Sequence, residues 1–134
     1  MKYIEYKNIE YTKAVYAIFN SGKLDELDKY FDQSFVEHQT NPGQKPGLAG
    51  LKDVMQAMHT AFPDFKMITE DIFASGDKIG VRSTISAANT GRFMGPPNGE
   101  HFKAEDFDIN RFSNGEAFEH WGLSDGMEMI GSSG

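Results

Sequence analysis

Apolar residues recur every three or four positions through the first half of the chain and alternate with polar ones through the second, so helices are expected first and strands after them. Ile9, Tyr11, Ala14, Val15, Ile18 and Phe19 keep helical spacing until Ser21-Gly22 supplies a stop. A shorter helix follows, with Leu24, Leu27, Tyr30 and Phe31 on its apolar side and Asp25, Glu26, Asp28 and Lys29 in water. Phe35 to Gln39 reads as a brief extended piece carrying His38, and Thr40 to Gly47, with two Pro-Gly pairs, as a loop that covers something. Leu51, Val54, Met55, Met58 and Phe62 mark a third helix that Pro63 ends, and His59 at the edge of its stripe is expected to be structural.

Strands are expected from Met67 to Ala74 and, after a Ser75-Gly76-Asp77 turn, from Lys78 to Thr90. The second has two faces, Ile79, Val81 and Ile85 on one side and Arg82, Thr84 and Ser86 on the other. Gly91 to Gly99, containing Pro96-Pro97, is a stiff non-helical connection. About three or four helices followed by a meander of about four to six strands make an α+β architecture, read as a single domain over residues 1–134.

The final hairpin, Glu105 to Asp125, carries most of the chemistry. Asp106, Asp108 and Asn110 fall on one side of its first strand, and Phe107 and Ile109 on the other. A two-residue Asn114-Gly115 turn pairs Asp108 with Trp121, whereas a three-residue loop with Gly115 left-handed pairs Asp108 with His120. The second register is expected, because it gathers Asp106, Asp108, Asn110 and His120 on one face and Phe107, Ile109, Trp121 and Leu123 on the other. Carboxylates on one face of an antiparallel sheet are by default solvated, so the hairpin alone does not make a site.

Composition narrows the classes. No cysteine is present, which excludes disulfides, thiol nucleophiles and Cys-based metal sites. A net charge of −7 with no basic cluster argues against nucleic acid. No apolar run approaches a membrane span, and the polar N-terminus has no signal peptide, so a cytoplasmic protein is expected. Eleven Phe, five Tyr and seven Met suit a core or the lining of an apolar cavity.

His38 ahead of Pro42-Gly43 and Pro46-Gly47, Phe62-Pro63-Asp64, Glu70-Asp71, Gly76-Asp77, Arg82 within a strand and Thr90-Gly91 with Phe93 come in a telling order. They are followed by Gly95-Pro96-Pro97 and Gly99, Asp108, Arg111 and Phe112, Asn114-Gly115, Glu119-His120-Trp121 and Asp125. Over nearly the whole chain this order and spacing resembles the SnoaL-like polyketide cyclase (ester cyclase) group of the nuclear transport factor two-like superfamily. The resemblance implies a cone-shaped (cystatin-like) fold, with a curved antiparallel sheet wrapped against about three N-terminal helices around a pocket. By the same resemblance Asp106, Asp108, Asn110, His120 and Arg82 point into the pocket, and His38 and Trp121 join the ligand-binding candidates, although alternation sets Trp121 on the opposite face. An apolar outer face of the sheet then implies a homodimer.

Members of that superfamily do acid-base work on apolar small molecules without metal or organic cofactor, and none is expected here. Asp106 and Asp108, two apart on one strand face, are suited to split into an acid and a base, with His120 relaying or orienting the proton and Arg82 stabilising an enolate oxygen. Asp125 is either a cap on the last turn or a second base. In ring-closing members the key aspartate falls two positions after His120, where this chain has Gly122, so the base is expected to shift to Asp106 or Asp108. A cyclase, isomerase or dehydratase acting on a carbonyl compound is the leading expectation. The alternatives are an epoxide hydrolase using an aspartate, Arg82 and Asp125, a ligand-binding protein without catalysis, or Arg82 merely neutralising the aspartates. A metal site of His38, His120 and the aspartates lacks any familiar ligand spacing.

Overall fold

The computed structural model describes residues 1–88 and 101–125. In chain order they form helix α1 (Tyr3–Ser21), a 3-10 helix (Leu24–Tyr30), strand β1 (Phe31–Glu37), helix α2 (Gly47–Ala61) and strands β2 (Lys66–Ser75), β3 (Lys78–Ala88), β4 (His101–Ser113) and β5 (Glu116–Ser124). The sheet order is β1-β5-β4-β3-β2, with β1 parallel to β5 and every other pair antiparallel. Helices against one face of a curved, unclosed sheet give the α+β cone. The expected connection Gly91 to Gly99 and the end of the strand at Thr90 lie outside the described residues.

The helical periodicity of α1 buries Ile9, Val15, Tyr16, Ile18 and Phe19 against the sheet. Gly22, at φ 77°, ends it by donating its N–H to the Ile18 carbonyl. Asn20 then clamps α1 to β2, donating to the Met67 carbonyl at 2.9 Å and accepting from the Met67 N–H at 2.7 Å. His59 bridges the two helices through a contact between its Nε2 and the Phe19 carbonyl. Phe31, expected to close the second helix, instead opens β1, because Phe31, Phe35 and Glu37 all turn their side chains inward. Phe62, Leu27 and Ile79 are fully buried at the centre of this core. Among the described residues no helix is long and apolar enough to cross a membrane.

The hairpin register differs from both expectations. Asn114 (φ 52°) and Gly115 (φ 79°) form the tight two-residue turn, with Ser113 opposite Glu116. A bulge then inserts Phe118, so that Arg111 pairs with Glu119, Asn110 with His120, Ile109 with Trp121 and Asp108 with Gly122. The extra residue restores the parity that the two-residue turn removes. Asp106, Asp108, Asn110 and His120 therefore share a face, although Asp108 lies directly across from neither Trp121 nor His120.

Pairing with β3 settles which face that is. Val81 lies opposite Asp108, Ser83 opposite Asp106 and Ile79 opposite Asn110, so the aspartates share the inner face with the apolar residues of β3. Arg82, opposite Phe107, is on the outer face, where it pairs with Asp71 at 2.7 Å and Glu105 at 3.4 Å. Its expected place in the pocket is thus overturned by strand parity.

Candidate active site

Between the helices and the inner face lies a cavity of about 140 Å³. Its walls are apolar, with Phe19, Phe35, Leu51, Met55 and Phe65 among them. Its polar groups come from β1, β4 and β5, from the loop after β1 and from one helix residue, Tyr16. No lysine or arginine is among the described residues that line it. The loop after β1 contributes Gln39, Asn41 and Gln44, which is what the Pro-Gly loop covers.

The polar groups form one connected chain. Tyr16 donates its hydroxyl to Asp108 Oδ2 at 2.7 Å, His120 Nε2 meets Asp108 Oδ1 at 2.7 Å, and His120 Nδ1 meets Glu37 Oε1 at 2.5 Å. Asp106 and Asn110 flank Asp108 on the same strand face. Glu37 is held in turn by the backbone N–H of Gln39 at 2.9 Å. Asp106, Asp108 and Glu37 are all buried. The parallel ladder brings the last two elements together, since Glu37 of β1 stands beside His120 of β5.

Burial and hydrogen bonding separate the two aspartates. Desolvation first, then the hydrogen bond and charge of Asp108, push the Asp106 carboxyl up to about 9. Desolvation raises Asp108 too, but the hydrogen bonds from His120, Asp106 and Tyr16 outweigh it and hold Asp108 below the usual carboxylate range. Burial opposes the His120 cation, yet its bonds to Asp108 and Glu37 raise it to about 10. Burial and the Asp108 charge lift the Tyr16 phenol well above its ordinary value, keeping it a donor. At neutral pH the cluster therefore holds a protonated Asp106 beside an ionised Asp108.

Of the residues expected from sequence, the structure brings together Asp106, Asp108, Asn110 and His120. His38 and Trp121 are elsewhere, stacked on each other with ring centroids 5.0 Å apart on the outer face, where they line an open groove together with Arg82. Asp125 is exposed and accepts the N–H of Glu105 in β4 at 2.7 Å, and, after burial and Asp108, its charge helps to raise Asp106. Arg82 is thus not assembled with the inner aspartates, and the Asp-Arg-Asp arrangement of an epoxide hydrolase is not formed. No three acidic or histidine side chains among the described residues are arranged to hold a metal ion.

Tyr16 and Glu37 escape sequence reasoning. Tyr16 is one more aromatic on an apolar helix stripe, and nothing in its spacing separates it from Phe19. Glu37 does leave a signal, because it follows Phe35 by two positions in an extended segment and so shares that residue's inward face.

Gly122 has a structural reason. A Cβ built there falls 2.4 Å from Gln39 Oε1 and 2.6 Å from Asp108 Oδ1. The space that a side chain at 122 needs is taken by the carboxylate projecting from the neighbouring strand.

Comparison with known proteins identifies the family and the fold. The family model for SnoaL-like polyketide cyclase matches residues 9–131. Among solved structures, the chain is similar to IdmH from Streptomyces antibioticus, a proposed polyketide cyclase, at 28% identity and TM-score 0.82 over 92% of this chain and 96% of that one. AclR from Streptomyces galilaeus, a proposed hydroxylase, shares 23% identity and the fold at TM-score 0.81, covering 96% and 98% of the two chains. TsrD from Streptomyces laurentii shares 23% identity and the fold at TM-score 0.78, covering 93% and 92%. No match was found among proteins of curated function.

Proposed function

Because the chain belongs to the SnoaL-like polyketide cyclase family, we propose that it catalyses proton transfer at a carbon acid, of the cyclase, isomerase or dehydratase kind, on an apolar carbonyl compound in the inner cavity and without a cofactor. The observation that carries this reading is the pair of buried aspartates on one strand face beside an apolar cavity, with Asp108 gripped by Tyr16 and His120 and Asp106 not. Asp108 takes the proton from the carbon beside the carbonyl, and Asp106 gives its own proton to the carbonyl oxygen as charge develops there. The enol so formed attacks within the same molecule, is reprotonated elsewhere or expels a leaving group, according to the substrate.

This division requires Asp108 ionised and Asp106 protonated, so activity is expected to fall at low pH and again as pH rises through about 9. Asp106→Asn and Asp108→Asn are each expected to lower turnover, or deuterium exchange at a ketone's α-carbon, by about 10²- to 10⁴-fold. Full activity in Asp108→Asn sinks the assignment. Ligand binding with no exchange in the parent protein makes this a binding protein instead.

The reading also includes a homodimer. Phe73, Phe107, Ile109 and Leu123 are exposed on the outer face, flanked by the ion pairs of Arg82 and Arg111, in the arrangement of an apolar interface with a polar rim. Leu123→Glu is expected to convert a dimer to a monomer in sedimentation, and a parent protein that is already monomeric removes the proposal.

A further inference from the structure

His120 is gripped at both ring nitrogens, by Glu37 at Nδ1 and by Asp108 at Nε2. A neutral imidazole has one N–H and one lone pair, whereas an ionised carboxylate only accepts. Between two carboxylates, only the imidazolium satisfies both contacts by donating at each nitrogen. We infer that Glu37 is a positioning residue that holds His120 as a permanent cation, so that His120 anchors the charge of Asp108 and does not itself shuttle the proton.

Three further features support the assignment. Glu37 and His120 are neighbours in the parallel β1–β5 ladder, and the His38 N–H donates to the His120 carbonyl at 2.9 Å, which fixes their registry. The side chains of Glu37, Asp108 and His120 are 2, 5 and 13% exposed, so water does not substitute for either carboxylate. The groups facing the imidazole are Glu37 from β1, Asp108 and Asp106 from β4, and Tyr16 from α1, while α2 presents only apolar side chains such as Leu51, Val54, Met55 and Met58 to the cavity. With both ring nitrogens engaged, neither an N–H nor a lone pair of His120 is left for a substrate. Asp106 meets neither ring nitrogen, and burial, with the neighbouring Asp108, favours its protonated form.

The inference deepens the acid-base reading and rests on it only for its kinetic consequence. It is tested without substrate, by ¹⁵N NMR of the histidine rings in the full-length protein from pH 5.5 to 9.5, with His120 assigned by comparison with His120→Gln. Both His120 nitrogens are expected to keep imidazolium shifts through neutral pH, and Glu37→Gln is expected to lower the proton affinity of the ring at least tenfold. Should that variant not fold, Glu37→Asp, which keeps the charge but draws it back from Nδ1, is expected to move the titration the same way by less. A His120 that titrates near 6.5 in the parent protein, or that is unmoved by the Glu37 variant that folds, overturns the inference. If the parent protein shows no carbon-acid turnover while the NMR result is as expected, the acid-base reading fails and the positioning role stands.

Discussion

Two glutamate-histidine pairs lie back to back across the β1–β5 ladder, Glu37 with His120 on the inner face and His38 with Glu119 on the outer. The dipeptides are the same, Glu37-His38 and Glu119-His120; the register sets Glu37 beside His120 and Glu119 beside Val36, so the outer pair is a diagonal contact on the opposite face. Outside, His38 and Glu119 are 40 and 21% exposed, Trp121 stacks on the ring, and Arg111 shares the carboxylate at 3.1 Å. Inside, the histidine meets two carboxylates with little water to screen them. The same residue pair is thus open to water on one face and buried against a second carboxylate on the other, and burial and that carboxylate together make the difference.

The strongest way to break the contrast is on the inside. His120→Gln leaves Glu37 and Asp108 buried without their cation and is expected to cost about 3–5 kcal/mol by urea unfolding at pH 7. The pH dependence follows from the direction of the shifts. His120 is raised in the folded state to about 10 from the ordinary 6.5, so its stabilisation is complete below about 6.5 and is lost as pH rises through about 10. Asp106, raised to about 9 from 3.8, acts in the same direction, because the fold keeps a proton that the unfolded chain releases. The urea midpoint is therefore expected to fall steadily from pH 6 to pH 10, and His120→Gln is expected to flatten that slope. An unchanged slope in the variant removes the inner pair's special status.

Much of the inner face was legible, and the errors have physical causes. Alternation alone placed Asp106, Asp108, Asn110 and His120 together, because a two-residue turn plus a one-residue bulge gives the same parity as the three-residue loop expected. The bulge falls at Ala117-Phe118, two apolar residues in a row that interrupt the alternation. Arg82 was misplaced for a different reason. Alternation on β3 separates its polar and apolar faces but does not say which one lines the pocket, and in β4 it is the carboxylates that turn inward toward the apolar face of β3. A buried polar face breaks the polar-outward rule at the residues it carries, so the rule misleads there. Glu37 and Tyr16 depend on a parallel strand pairing and a helix docking that no local pattern carries.

Gly122→Ala sharpens the comparison by disturbing the inner pair without removing any charge. The new methyl meets Gln39 Oε1, which is free to swing away, and Asp108 Oδ1, which Tyr16 and His120 hold in place. Displacing Asp108 from that grip is expected to cost about 1–3 kcal/mol in unfolding free energy, within the range for overpacking. It is also expected to lower turnover more than it weakens ligand binding, since the apolar walls are untouched. Turnover equal to the parent's shows that Asp108 moves freely, which contradicts the role of its two partners.

The smallest effect is expected outside. His38→Gln removes the contact to Glu119 and the stack on Trp121, but Arg111 still pairs with Glu119, and the pair was open to water from the start. An exposed ion pair of this kind contributes about 1 kcal/mol or less, so the shift in urea unfolding is expected to stay within that limit and to shrink further in high salt. Turnover and its pH profile are expected to match the parent's, because the side chain faces away from the cavity and only its backbone N–H, retained in the glutamine, reaches the inner pair through the His120 carbonyl. A loss comparable to that of His120→Gln means that the two faces are coupled through the ladder, and burial then no longer explains the difference between them.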